Sequence, residues 1–146
     1  MLKTCSSFRL SRFAGGASGF GSFGGRRWNS DISLFTQIEQ GIIPGEFLYK
    51  DEHCFAIKDV SPQAPVHFLV IPRKHIAQIR VAEAEDKLLL GHLMYTAGKL
   101  AVDQGLNEGF RIVINDGKEG CQSVYHLHVH VLGGRQLSWP PGCDPQ

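Results

Sequence analysis

The residues best suited to chemistry are His126, His128 and His130, which alternate with apolar residues in the stretch YHLHVHVL. On an extended strand successive side chains point to opposite faces, so the three imidazoles would share one face at a spacing of about 6.6 Å. The residues that would enter the opposite, apolar face are Leu127, Val129 and Val131. One histidine on a strand is commonly a hydrogen-bonded core residue, but three in register indicate a functional site.

Two kinds of chemistry use such a row of imidazoles. Neutral imidazoles two residues apart can bind zinc, with His67, His53 or an acid completing the ligand shell. Alternatively, one imidazole attacks phosphorus while its neighbours set its tautomer and stabilise charge. The loop before the row favours the second chemistry, because residues 115–117 and 120–123 offer backbone donors, carboxamides and a hydroxyl suited to a phosphate. The Asn-Asp-Gly part of that loop is also ordinary turn chemistry.

The elements that must position these residues predict an α+β fold around an antiparallel sheet. Alternating or continuous apolar runs predict strands over residues 46–50, 53–58, 66–71, 110–115 and 125–132. A short helix is expected after Ser33, ending at Gly41, and one long amphipathic helix over residues 84–104, ending at Gly105. Its predicted apolar face consists of Leu90, Leu93, Met94, Ala97, Leu100 and Ala101.

Length and composition predict one folded domain, residues 31–146, behind a distinct N-terminal segment. Residues 1–30 contain five basic and no acidic side chains among Ser, Gly and Phe, which is typical of an organellar import leader. We expect a mitochondrial address, with a chloroplast one or an unaddressed disordered tail as alternatives. Residues 31–146 carry a formal net charge of −4, which argues against a nucleic-acid partner. No apolar run approaches 18 residues, so no membrane span is expected.

Three further stretches of the chain are distinctive: DVSPQAPVHFLVIP at residues 59–72, residues 117–123 with the histidine row, and LGGRQLSWPPG near the C-terminus. Together they closely resemble the Hint branch of the histidine triad family. The resemblance covers about residues 33–142 and is strongest to the mitochondrial members. It implies a HIT-like antiparallel sheet with one long and one short helix, and a homodimer whose two sheets join into one. It also implies adenosine 5′-monophosphoramidase activity on a purine nucleotide, without a metal or cofactor.

The resemblance assigns roles to single histidines. His128 matches the nucleophile, and the main-chain carbonyl of His130 is expected to hold the Nδ1 proton of His128. The histidines that match a group stabilising charge or moving protons are His126, His130 and His67.

Other residues match the contacts to the nucleotide and to the partner subunit. Asp59 matches the acid that accepts hydrogen bonds from the ribose hydroxyls. Phosphate and leaving-group contacts are matched by Asn115, Gln122 and Ser123, and Cys121 stands where the family usually has Gly or Ala. The apolar slot around the base is matched by Phe35, Ile57, Val60 and Leu69. Trp139 matches a tail residue that reaches the partner's site.

The implied reaction is displacement of an amine from R-NH-AMP by His128, followed by hydrolysis of the adenylylated histidine to AMP. His130 favours hydrolysis, because related nucleotidyltransferases carry Gln at that place. Three alternatives stay open: a dinucleoside polyphosphate hydrolase, which the WPPG ending disfavours, a zinc protein using the HxHxH row, and a non-catalytic AMP-binding sensor or scaffold. Lysyl-AMP, aminoacyl adenylates and simple amidates share the atoms that the motif contacts, so the substrate is not specified further.

Overall fold

A computed structural model describes residues 32–141, which fold into one sheet and two α-helices. The elements are α1 (Leu34–Glu39), β1 (Phe47–Lys50), β2 (Cys54–Lys58), β3 (Val66–Pro72), 3₁₀ turns at Ile79–Val81 and Ala84–Asp86, α2 (Lys87–Asp103), β4 (Phe110–Val113) and β5 (Val129–Gly133). The five strands are antiparallel to their neighbours, in the order β1-β2-β3-β5-β4. The predicted α+β class, with one long and one short helix, is confirmed. The predicted leader, residues 1–30, lies outside the described residues.

The sheet separates two apolar clusters, one on each face. Side chains alternate between the faces along β2 and β3, so each strand contributes to both clusters. The α2 side includes Cys54, Ala56, Phe68, Val70, Leu93, Ala97, Leu100, Ala101, Leu127, Val129 and Val131. The α1 side consists of Phe35, Ile38, Phe55, Ile57, Leu69 and Ile71. Burying one large apolar side chain of this kind contributes about 1.5–3 kcal/mol, so both helices are fixed to the sheet mainly by these clusters.

The helix boundaries follow from their end residues. Ser33 caps α1 by accepting a hydrogen bond from the backbone N–H of Thr36 at 3.1 Å, and Gly41, at φ +70°, turns the chain away after the helix. Gly105, at φ +82°, does the same after α2. The predicted apolar face of α2 was wrong at Met94, which is 43% exposed, because Met94 lies about 100° around the helix from the buried Leu93. No helix among residues 32–141 combines the length and apolar character needed to cross a membrane.

The last two strands are shorter than predicted. β4 ends at Val113 rather than Asn115, and β5 begins at Val129 rather than Tyr125. Residues 124–128 leave the ladder because the backbone N–H of Leu127 donates to the carbonyl of Ile76, at 2.6 Å, instead of to a neighbouring strand. The alternation nevertheless continues, since Leu127 is buried on the α2 side. The first two histidines of the row therefore lie on irregular backbone before the strand, and only His130 lies within it.

Candidate active site

Strand register brings the predicted apolar slot and the histidines together on the α1 side of the sheet. Ile57 is paired with Leu69, and Leu69 with His130, and directly opposed residues of antiparallel strands share a face. From α1, the Phe35 ring contacts the His128 ring edge-on at a centroid distance of 5.1 Å. Val60 does not join this group, because its side chain is 79% exposed. Three of the four residues predicted for the slot therefore lie together, buried in the apolar cluster on the α1 side.

His128 has one ring nitrogen fixed and one unbound. Its Nδ1 lies 2.7 Å from the carbonyl oxygen of His126, so the Nδ1 proton is donated there. The expected acceptor, the carbonyl of His130, was wrong, because His130 lies inside β5 with strands paired on both sides. Burial lowers the pKa of His128, which keeps the ring neutral near pH 7. The Nε2 atom then carries a lone pair, and it makes no hydrogen bond to any residue between 32 and 141.

A chain of hydrogen bonds fixes the tautomers of His67 and His130. The backbone N–H of Gln63 donates to Nδ1 of His67 at 3.1 Å, which leaves the His67 proton on Nε2. This Nε2–H donates to Nδ1 of His130 at 2.9 Å. Oδ2 of Asp59 lies 3.4 Å from Nε2 of His67 and 3.8 Å from Nδ1 of His130. His130 accordingly carries its own proton on Nε2.

The Nε2–H of His130 is a buried donor without an acceptor among the described residues. The His130 ring lies beside that of His128, with centroids 4.9 Å apart. Burial, reinforced by the neighbouring His128 and His67, lowers the pKa of His130 to about 4, so the ring is neutral. A buried unsatisfied donor costs about 1–3 kcal/mol, and such groups are typical of sites where a ligand supplies the missing partner.

His126 differs from its two neighbours in having both ring nitrogens occupied. Nε2 donates to the carbonyl of Pro72 at 2.8 Å, and Nδ1 accepts from the hydroxyl of Ser33 at 2.6 Å. The side chain is fully buried, and burial lowers its pKa to about 4. Because Ser33 caps α1 and Pro72 ends β3, His126 connects the helix to the sheet. The HxHxH row therefore does not present three converging imidazoles to a metal.

The loop between β4 and β5 is shaped by the predicted phosphate-contact residue Gln122. Its Oε1 accepts from the backbone N–H of Gly117 at 2.9 Å, and its Nε2 donates to the carbonyls of Ala77 and Val124 at 2.7 and 3.1 Å. Gln122 is buried and its carboxamide is fully engaged, so it sets the loop's shape. A Cβ on Gly120 would lie 2.5 Å from the carbonyl oxygen of Asp116, which restricts that position to glycine.

The remaining predicted loop residues are accessible. Asn115 is half-buried and Ser123 is exposed, and the side chain of neither one is hydrogen-bonded to the described residues. The pairing of Val113 with His130 directs the chain after β4 toward the His128 end of β5, which places Asn115 on that side. Cys121 is exposed and occupies the left-handed region at φ 59°, a conformation that glycine adopts more readily than other residues.

Sequence reasoning missed two residues that position the site. Ser33 was expected only as a helix start, yet it also holds His126, 93 residues away. Arg80 anchors the phosphate loop: its backbone N–H donates to Oδ2 of Asp116 at 3.0 Å, and its guanidinium pairs with the same carboxylate. The Arg80 side chain is also the main cause of the lowered pKa of Asp116. Asp116 had been interpreted as a turn residue, and nothing in the sequence pattern indicates this long-range pair.

Comparisons with known proteins identify the family. The model of the HIT domain matches residues 40–137, so the chain belongs to the HIT domain family. An uncharacterized HIT-like protein of Synechococcus elongatus is 52% identical over 113 residues, which cover 77% of this chain and 99% of the relative. The fold is similar to the crystal structure of a HIT family hydrolase from Legionella pneumophila, with a TM-score of 0.73 and 47% identity over 75% of this chain and 98% of that one.

A HIT family hydrolase from Clostridium thermocellum is also similar in structure. It has a TM-score of 0.71 and 37% identity, covering 75% of this chain and 96% of that one. The chain therefore has the fold of HIT family hydrolases. Its assignment to the Hint branch and its likeness to mitochondrial members remain predictions.

Proposed function

We propose that this protein hydrolyses the P–N bond of adenosine 5′-phosphoramidates through an adenylyl-histidine intermediate on His128. The observation that carries the proposal is a pair of adjacent rings whose Nε2 atoms have no partner in the described part of the chain: the Nε2 lone pair of His128 and the buried Nε2–H of His130. The first atom is a nucleophile and the second is a hydrogen-bond donor suited to an anionic oxygen. A phosphoryl group seated between them would supply the acceptor that His130 lacks.

The reaction proceeds in two displacements at phosphorus. Nε2 of His128 attacks the α-phosphorus, the P–N bond to the amine breaks, and the amine leaves once its nitrogen is protonated. Water then attacks phosphorus, the bond to His128 breaks, and AMP is released with the imidazole restored. His130 donates to a non-bridging oxygen, and Asn115 and Ser123 add a carboxamide and a hydroxyl. The carbonyl of His126 stabilises the imidazolium that forms on His128, because it accepts the Nδ1 proton at 2.7 Å.

The nucleoside is assigned to the surface next to the histidines. Phe35, Ile57 and Leu69 form an apolar cluster suited to one face of a purine. Asp59 lies at the end of this surface, with its Oδ1 accepting the backbone N–H of Ser61 at 2.8 Å and its side chain 14% exposed. A carboxylate held in this way can accept hydrogen bonds from a vicinal diol, which supports the ribose role of Asp59.

We also propose that two copies pair along β4. This strand is at the end of the sheet and has β5 as its only neighbour among the described residues, so one edge of its backbone is unpaired. Its sequence FRIV is largely apolar, and Phe110 is 38% exposed. An uncovered apolar edge strand is a template for pairing with a second chain. Pairing of β4 with its copy would join two five-stranded sheets into one.

The test of the proposed activity is steady-state hydrolysis of an adenosine phosphoramidate compared with diadenosine polyphosphate, with and without a chelator. We expect turnover of the phosphoramidate, much slower turnover of the dinucleotide, and no effect of the chelator. Faster turnover of the dinucleotide would instead identify a polyphosphate hydrolase. Binding of AMP without turnover would identify a sensor, and loss of turnover with the chelator would indicate a metal-dependent site.

A further inference from the structure

A second group of reactive side chains lies on the opposite, α2 side of the sheet, where the β1–β2 hairpin meets the helix. Asp51 follows β1, Cys54 begins β2, and His92 lies in the second turn of α2. One potential ligand atom from each of the three residues lies within 4.8 Å of the other two. The proposed phosphoramidase reaction uses none of them.

The carboxylate of Asp51 is oriented by the backbone. Its Oδ1 accepts the N–H groups of His53 and Cys54, both at 2.7 Å. Oδ2 is thereby turned toward Nε2 of His92 at 2.6 Å and Sγ of Cys54 at 3.6 Å, and it also accepts the Tyr49 hydroxyl at 2.9 Å. Supporting hydrogen bonds of this kind are what orient the ligands of metal sites.

The spacing is close to that of a tetrahedral zinc centre. Metal–ligand bonds of about 2.0–2.3 Å place neighbouring ligand atoms about 3.3–3.8 Å apart. The distance from Sγ to Oδ2 already fits, and the distance from Nε2 to Oδ2 must lengthen by about 0.7 Å. The side chain of His92 is 31% exposed, so it has room for this shift, and the carboxylate of Asp51 is 20% exposed. Solvent thus reaches two of the ligands, while the thiol lies buried beneath them.

We propose that Asp51, Cys54 and His92 bind a zinc ion, with water as the fourth ligand. Thiolate and imidazole select zinc over magnesium or calcium, which prefer oxygen ligands. On binding, the thiol proton of Cys54 passes to solvent, and the hydrogen bond between Asp51 and His92 is replaced by two bonds to the metal. The ion fastens the β1–β2 hairpin to α2.

The Cys54 thiol is fully buried, and a bound metal ion would take the place of its proton. Burial, together with the charge of Asp51, raises the pKa of the Cys54 thiol to about 12. Zinc binding should therefore release a proton, and the affinity should rise with pH.

Titration of the full-length, chelator-stripped and reduced protein with Co²⁺, followed by Zn²⁺, tests the proposal. We expect one Co²⁺ per chain, a thiolate-to-cobalt charge-transfer band, intense visible bands of a tetrahedral ion, and displacement of all of these by Zn²⁺. Cys54→Ser should abolish the charge-transfer band, and His92→Gln should weaken Co²⁺ binding by about tenfold or more. Because His92 is partly exposed, His92→Gln should still fold. It therefore tests the proposed zinc site even if Cys54→Ser does not fold.

Two matched controls separate this site from other cysteines and histidines. Cys121→Ser removes an exposed cysteine, and His67→Gln disrupts the other group of metal-binding type, Asp59, His67 and His130. Both variants should keep the charge-transfer band and the Co²⁺ affinity of the parent. Absence of the band in the parent, its loss in Cys121→Ser, or unchanged affinity in His92→Gln would overturn the proposal. These readouts do not depend on phosphoramidate turnover, so failure of the proposed activity leaves the metal result intact.

Discussion

The histidine segment has two regions whose imidazole rings are hydrogen-bonded differently. One region is residue 126 and the other is residues 128–130. His126 precedes the strand and has both ring nitrogens bound, to Ser33 and Pro72. His128 and His130 each have one nitrogen fixed and one that no described residue binds. The spacing of the three residues in the sequence is identical. His126 therefore differs from the two histidines that we propose to act in catalysis in the number of ring nitrogens bound by the described residues.

The largest expected effect is that of His128→Ala. If Nε2 of His128 is the nucleophile, the variant loses the covalent step and its kcat should fall by at least about a thousandfold. AMP binding should persist, because the apolar slot and Asp59 are untouched. Mass spectrometry of the parent, quenched during turnover of a slow-leaving phosphoramidate, should find AMP on the peptide containing His128. An active His128→Ala enzyme, or an adduct on another residue, would refute the mechanism, and His53→Ala is the control for an exposed histidine.

The next effect contrasts His126→Ala with His130→Ala. Loss of His126 leaves Ser33 and Pro72 without their partner and opens a cavity, so the free energy of unfolding should fall by about 3 kcal/mol. His130→Ala removes a donor that has no acceptor among residues 32–141, so it should cost less stability and lower kcat by about a hundredfold. Both variants should keep measurable residual rates. Chemical denaturation and steady-state kinetics on the same preparations check the contrast, and equal effects on stability would contradict it.

This contrast marks the limit of what the sequence could predict. Apolar periodicity correctly predicted the sheet and the two helices, because periodicity reports which face a side chain occupies. The grouping of Phe35, Ile57 and Leu69 was implied only by the family resemblance, since each of them also fits a core position. Periodicity could not report which nitrogen of His126 is bound or by what, since Ser33 is 93 residues away. For the same reason it missed the contact of Arg80 with Asp116. Periodicity also failed at residues 125–128, where alternation continues after the strand has ended.

The pH dependence of stability provides a third test of the contrast. Burial holds the pKa of His126 at about 4 in the folded protein, against 6.5 for an ordinary histidine. The unfolded chain thus binds more protons between these values, so stability is full above pH 6.5 and is lost as the pH falls toward 4. The loss from His126 alone is at most about 3 kcal/mol.

His126→Gln removes this titration and should make the free energy of unfolding less steeply dependent on pH between 6.5 and 4. Part of the slope should remain, because the pKa of His130 is also lowered to about 4. Urea denaturation at several pH values measures the slope, with His53→Gln as the exposed control. A slope that is equally steep in His126→Gln and in the parent would show that the buried ring is not the source of the acid sensitivity.

A smaller effect concerns Asp59, at the other end of the proposed site. Asp59→Ala should lose discrimination between ribonucleotides and 2′-deoxyribonucleotides, because a charged acceptor to a hydroxyl contributes about 1.5–3 kcal/mol. Asp59→Asn is the matched variant, since its side-chain oxygen can still accept the N–H of Ser61 while the charge is lost. Ratios of kcat/KM for the two sugars give the readout. An unchanged ratio in both variants would return Asp59 to the role of a turn residue.

The smallest expected effect is that of removing the C-terminal tail, which lies beside the edge of the sheet where we propose that the dimer forms. The guanidinium of Arg111, on the edge strand β4, donates to the carbonyl of Ser138 at 2.7 Å and so anchors the tail beside the edge where a second copy would pair. Trp139 follows at once and is 83% exposed, which is unusual for so large an apolar side chain.

If Trp139 reaches the partner's site, it lies on the amine side of the substrate, away from the AMP contacts. Deleting residues 139–146 should then change the relative kcat/KM values of bulky and small amine leaving groups by about three- to tenfold, or about 1 kcal/mol, and leave AMP affinity unchanged. Trp139→Phe should restore most of the parent's ratio, because an aromatic face is retained. Identical ratios across a series of amines in the deleted, substituted and parent proteins would remove Trp139 from the site.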